Sequence, residues 1–175
     1  DLGRLVYLKP SHPYNNSLSN LRSRYARRPE AKDSAATYIM NRLMDALPPG
    51  SSVKLIPFRN TPDDTIMYNV EGILEGTDPE AGYYIIDGHY DSIAHHSFPG
   101  RDWDWRIDPA PGADDNGTGI ILLLESARLL SRFRFPWSIR FIAFSGEELG
   151  LFGSKNYAED AKKNGDKILG VINCD

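Results

Sequence analysis

Tyr83-Tyr84-Ile85-Ile86-Asp87-Gly88-His89-Tyr90-Asp91 is the stretch on which the fold turns. Its first four residues form a short continuous apolar run, the pattern of a strand covered on both faces. Side chains capable of chemistry follow at once. The same succession recurs downstream. A strand predicted over Ser138 to Phe144, with Ile139, Phe141 and Ile142, runs into Ser145-Gly146-Glu147-Glu148. Another, over Ile168 to Cys174, runs into Asp175. Between the first two lies a predicted helix, Gly119 to Leu130, apolar nearly all round as expected of one packed deep against a sheet. Pro111-Gly112-Ala113-Asp114-Asp115-Asn116-Gly117 leads into it, and a further helix over Tyr157 to Lys163 ends at Asn164-Gly165. Strand, helix, strand, helix, strand is the α/β pattern, with helices covering a largely parallel sheet.

Upstream the signal is plainer in kind. Ala36, Ile39, Met40, Leu43, Met44 and Leu47 recur at helical spacing and predict a helix over Ala31 to Leu47, stopped by Pro48-Pro49-Gly50. Val53 to Phe58 and Ile66 to Leu74 read as strands divided by the turn-rich Asn60-Thr61-Pro62-Asp63-Asp64. The first thirty residues are polar and irregular. The run Arg22, Arg24, Arg27 and Arg28 reads as a solvated basic face.

The chain has 175 residues, 41% hydrophobic and 25% charged, enough for one domain with a sizeable core. No repeat, low-complexity tract or linker divides it. With 20 basic against 24 acidic side chains the net charge is −4, which argues against a nucleic-acid partner. No apolar stretch approaches the roughly 18 residues of a membrane span. A single cysteine, Cys174, allows no intrachain disulfide and reads as a buried thiol.

In an open α/β sheet, ligands bind beyond the carboxyl ends of the strands. Four elements here deliver a histidine or a carboxylate to that rim. Imidazole with carboxylates is a donor set suited to zinc, with cobalt or manganese also compatible. Converging carboxylates repel one another in a partly buried pocket, and a divalent cation relieves that repulsion. Taken singly, each motif has a blander reading. Asp114 and Asn116 would cap the helix, and Glu147-Glu148 would be a solvated helix start. The ordered set, always at strand ends, favours the metal.

Gly88-His89-Tyr90-Asp91-Ser92, the nine residues from Pro111 to Gly119, and Ser145-Gly146-Glu147-Glu148-Leu149-Gly150-Leu151-Phe152-Gly153-Ser154 resemble the co-catalytic zinc aminopeptidases, among them the secreted bacterial and fungal leucyl aminopeptidases. The resemblance is strong from about Tyr83 to Asp175 and loose before it. It implies a mostly parallel mixed central sheet with helices on both faces, in which residues 1–175 form a single catalytic domain truncated on its C-terminal side. It also implies two zinc ions. His89 and Asp175 would hold the first, Asp115 would bridge both, and Glu148 would hold the second. Glu147 would be the general base, and Asp91 would accept a hydrogen bond from the His89 ring. Peptide hydrolysis needs a nucleophile at neutral pH, and a divalent metal lowers the pKa of a bound water to about 7. Adjacent acids suit a division of labour, because neighbouring side chains point apart.

Two departures stand out. The family's second metal takes a last histidine from a later segment, whereas this chain ends at Asp175. Of the remaining histidines, His12 falls in the irregular start, and His95 and His96 come too soon after His89. The segment Ser97 to Pro109, rich in aromatic residues, lies between two ligand motifs. It would either shape the entrance or be a surface loop pinned by its own rings.

The expected function is thus a metal-dependent exopeptidase acting on peptides, an aminopeptidase removing apolar N-terminal residues. The alternatives are a carboxypeptidase or dipeptidase of the same family, and a binding domain that keeps the fold without catalysis. The start at Asp1 and the secreted relatives make a secreted or periplasmic location the expectation. Oligomeric state is left open. The sequon Asn116-Gly117-Thr118 overlaps the expected site, where a glycan would block access.

Overall fold

The structure, a computed structural model, describes residues 23–59, 64–95, 98 and 100–175. Helix α1 spans Pro29–Ala46, beginning with proline in its first turn, where a missing N–H does no harm. Leu47 is already extended because Pro48 follows it. The helix buries Ala36, Ile39, Leu43 and neighbouring Leu47, while Met44 stays exposed.

Strands β1 (Val53–Arg59) and β2 (Ile66–Leu74) form an antiparallel hairpin. The remaining strands are β3 (Tyr83–His89), β4 (Ser138–Phe144) and β5 (Ile168–Asn173). The sheet order is β1-β2-β4-β3-β5. β2 runs antiparallel to β4, whereas β3 is parallel to both β4 and β5. The sheet is therefore mixed, with its parallel part on the side that carries the chemistry.

Helix α2 (Gly119–Leu130) makes the crossover from β3 to β4. It packs with α1 on one face of the sheet, where Ile120, Leu123, Leu124 and Ala127 join Ile39, Leu43, Val70, Ile86 and Phe141 in the main core. Its apolar residues are not all buried, as Leu122 and Leu129 remain exposed. Helix α3 (Phe152–Asn164) lies on the opposite face, where Tyr157 packs on Tyr83, Ile85, Ile142 and Phe144. It begins five residues before the expected start at Tyr157, and Gly165 ends it in the left-handed region, as its sequence position predicts. The same face buries a polar relay. Tyr157 donates to Glu71 at 2.7 Å, and Arg140 donates to Tyr157 at 2.9 Å.

Among the described residues, no helix is long and apolar enough to cross a membrane. His12 and His96 lie outside the described residues, as do Arg22 and residues 60–63 of the turn that ends at Asp64.

Candidate metal centre

Register builds the site. On the parallel pair β3/β5, Asp87 stands opposite Asn173. Two residues further along each chain come His89 and Asp175, so both arrive at the same rim. On the other side His89 stands opposite Phe144, the last residue of β4, and the Ser145–Glu148 turn departs from there. Asp115 comes in from the crossover, in the short distorted turn Ala113–Thr118 that precedes α2.

His89 is buried, whereas the side chains of Asp115 and Asp175 are largely exposed. Its Nε2 lies 3.1 Å from Asp115 Oδ1 and 3.3 Å from Asp175 Oδ1. One donor atom from each of the three residues falls within 4.8 Å of the others. The opposite ring nitrogen, Nδ1, lies 3.2 Å from the Asp91 main-chain oxygen and 3.7 Å from its carboxylate. The ring's closer partner is therefore the backbone of Asp91 rather than the expected side chain. With Nδ1 turned to Asp91, Nε2 faces two carboxylates, and three groups able to bind a metal converge on one point. The donor set of one imidazole and two carboxylates suits zinc.

The Asp91 side chain has a different task. It is fully buried, and its two oxygens accept the main-chain N–H groups of Glu147 at 3.0 Å and Glu148 at 3.2 Å. The β3 end thereby fixes the turn that carries the glutamates. Glu147 and Glu148 are half-buried. Glu148 stands outside the group of three, yet its carboxyl is pushed up to about 7, by burial first and then by the charges of Asp115 and Asp91. Burial also raises Glu147, with Asp91, Asp175 and Asp115 adding to the shift and His89 opposing it. For His89, burial opposes the charged ring, but Asp91, Glu147 and Asp115 outweigh it and raise the imidazole to about 9. The glutamates thus share one electrostatic environment with the three clustered residues.

Two asparagines hold the frame, and of these the sequence reading gave a role only to Asn116, as a helix cap. Asn69, at a buried position of β2, accepts from the Ser145 N–H at 3.1 Å and donates to the Gly153 carbonyl at 2.9 Å. Asn116 accepts from the Gly119 N–H at 2.9 Å, so the capping reading holds for it. It also donates through Nδ2 to the Cys174 carbonyl at 2.6 Å, tying the Asp115 turn to the residue before Asp175. A side chain on Gly119 would come within 2.2 Å of Asn116 Oδ1 and 2.3 Å of the Cys174 oxygen, hence glycine there. The sequon amide is thus buried and engaged in the folded chain. For Asn69 the sequence signal is a polar residue between Tyr68 and Val70 in a predicted strand, and for Asn116 it is the place just ahead of a predicted helix.

His95 stacks edge-on against Trp103, 5.2 Å between ring centres, and is not one of the three clustered residues. In the aromatic segment, Trp103 is buried with Tyr25, Ala94 and Ala110, and Phe98, Trp105 and Leu149 pack against this group. The loop is pinned by its rings, as one of the two expectations had it. It also leans on Leu149, the neighbour of Glu148. Arg24 is fully buried, so at this position the basic run is not a solvated face.

A mixed α/β sheet with an imidazole and carboxylates gathered beyond its parallel strands defines an α/β protein with a candidate metal site. The model of Peptidase family M28 matches residues 69–175, and the chain belongs to that family. A probable zinc metalloprotease of Pyrenophora teres f. teres is 38% identical over 106 residues, covering 61% of this chain and 22% of the relative. The probable leucine aminopeptidase 1 of Trichophyton verrucosum is 30% identical over 169 residues, covering 90% of this chain and 42% of the relative. The chain therefore spans less than half the length of either. In shape it is similar to LapB from Legionella pneumophila, with a TM-score of 0.71 and 23% identity over all of this chain and 43% of that one.

Proposed function

We propose that this chain carries the catalytic half of a two-zinc aminopeptidase that hydrolyses peptides with apolar N-terminal residues. The observation that carries the reading is His89 Nε2 facing Asp115 and Asp175 at 3.1 and 3.3 Å on the carboxyl rim of the sheet. His89 and Asp175 would hold one zinc, Asp115 would bridge, and Glu148 would contribute to a second.

When bound, zinc supplies Lewis acidity, which acidifies water and polarises a carbonyl. The protein side of the mechanism rests on the chain's own residues. The Glu147 carboxylate takes the proton of the attacking water and returns it to the leaving amine. Its raised proton affinity, caused chiefly by burial, suits that exchange. Asp91 keeps Glu147 in place through the main chain rather than by touching substrate. The Asp91 main-chain oxygen orients the His89 ring.

Turnover by the full-length protein tests the reading. Leucyl p-nitroanilide and its N-acetylated counterpart would be compared with and without a chelator. Cleavage of the free amine alone, abolished by chelation and restored by zinc, is the expected result. Equal cleavage of the blocked substrate would exclude an aminopeptidase. Preference for a free C-terminal carboxylate would point to the carboxypeptidase or dipeptidase alternative. Zinc binding without any turnover would leave a binding domain.

A further inference from the structure

Arg24 lies upstream of the residues that the family model matches, yet it reaches into the frame of the metal site. Its Nε donates to the Tyr90 carbonyl at 2.7 Å, Nη1 to that of Pro111, and Nη2 to that of Gly112 at 2.7 Å. Tyr90 follows His89 directly, and Gly112 stands three residues before Asp115. The main chain adds a second tie between the same segments. The Arg24 N–H donates to Ser92 Oγ at 3.2 Å, and that hydroxyl donates to the Ala110 carbonyl at 2.6 Å.

Gly112 records how tightly this is built. Its φ is +50°, and a Cβ there would lie 2.7 Å from Arg24 Nη2 and 2.5 Å from the Ser92 Cβ. The Gly112 carbonyl also accepts the Gly117 N–H at 3.0 Å, closing the turn that holds Asp115. A guanidinium suits this place because its planar fork addresses several carbonyls at once, which a lysine ammonium cannot do in the same geometry. Burial lowers Arg24 to about 10, and the charges of Asp91 and Asp115 oppose that shift, so it is a buried cation at neutral pH.

From this geometry we infer that Arg24 is a positioning residue of the metal site. Its guanidinium holds the loop after His89 and the loop before Asp115 at the separation the ligands require. The inference rests on the reading of His89, Asp115 and Asp175 as metal ligands. An arginine with a purely structural role would lower the stability of the metal-free fold and leave the zinc affinity of the folded fraction unchanged.

The test measures zinc dissociation constants by competition with a chromogenic chelator, on full-length wild type, Arg24→Met, Arg24→Lys and His89→Ala. Thermal unfolding of each metal-free protein establishes that it is folded. Folded Arg24→Met is expected to bind zinc about tenfold or more weakly, in line with other groups that orient metal ligands, with Arg24→Lys in between. Affinity equal to wild type in folded Arg24→Met overturns the inference. If Arg24→Met does not fold, Arg24→Lys decides: weakened binding supports the inference, and unchanged binding overturns it. Equal zinc binding by wild type and His89→Ala overturns the metal-site reading, and the inference with it. Loss of binding in His89→Ala alone overturns only the role given to Arg24.

Discussion

The buried carboxylate of Asp91 accepts the main-chain N–H of Glu147 at 3.0 Å, so the end of one strand dictates where the turn after its neighbour lies. Its other oxygen accepts from Glu148 at 3.2 Å. In Asp91→Asn one acceptor oxygen is replaced by an NH₂ that faces a donor. The expected loss of stability is about 1–3 kcal/mol, the range for a buried group left unpaired. Zinc affinity should fall about 10- to 100-fold, because the His89 and glutamate loops lose their common anchor. Urea denaturation and zinc titration check the two parts, and an unchanged result in both would remove Asp91 from the frame.

Glu147→Ala separates base from ligand. Turnover should fall by about 10²–10⁴-fold, the usual contribution of a positioned proton carrier. The zinc content of the purified variant should match wild type, as determined by metal analysis. Loss of zinc would make Glu147 a structural or ligating group instead.

Gly119→Ala should disturb the site without touching a proposed ligand. The added methyl would meet Asn116 Oδ1 at 2.2 Å and the Cys174 carbonyl at 2.3 Å. Asn116 must then give up its bond to Cys174, and the Asp115 turn moves away from Asp175. A destabilisation of about 1–3 kcal/mol is expected, as for other overpacked positions. Thermal unfolding measures it, and a wild-type melting temperature would contradict the packing described.

Asp87 supplies a pH dependence. Burial raises its carboxyl to about 6, above the roughly 3.9 of an unfolded chain. The folded state therefore holds this proton more tightly than the unfolded state. Its contribution to stability is complete below about pH 4 and is lost as the pH rises through about 6. Asp87→Asn cannot ionise, so it should exceed wild type by on the order of 2 kcal/mol near neutral pH and by little at about pH 4. Chemical denaturation at the two pH values checks this, and a difference of the same size at both would contradict it.

How far the sequence could be read depended on the range of the forces involved. Strands Ile66–Leu74 and Ser138–Phe144 and helix Gly119–Leu130 fall on their expected bounds, because each is specified by its own periodicity. The convergence of His89, Asp115 and Asp175 was legible too, since each follows or precedes such an element. Helix α3 was read five residues short because its first turn leans on distant groups. Gly153 meets Asn69 and Ser145 there, and local pattern carries no trace of them. Arg24 was misread for the same reason. Its carbonyl partners lie 66 to 88 residues away, and a cluster of arginines looks the same in sequence whether water or protein surrounds it. The antiparallel pairing of β1 with β2 follows from the short turn between them, whereas that of β2 with β4 has no local signal, because those strands are far apart in the chain.

The engagement of the Asn116 side chain also governs how the molecule ages. An asparagine followed by glycine loses ammonia readily when the glycine nitrogen can attack the side-chain carbonyl and close a succinimide ring. Here that nitrogen is bonded to Gly112, and the amide is held between Gly119 and Cys174. Stored folded, the protein should keep this residue intact. Stored denatured, it should deamidate there, and peptide mapping by mass spectrometry would record the difference. Any aspartate formed would set a new negative charge against the Cys174 carbonyl, between the two acids on which the site depends.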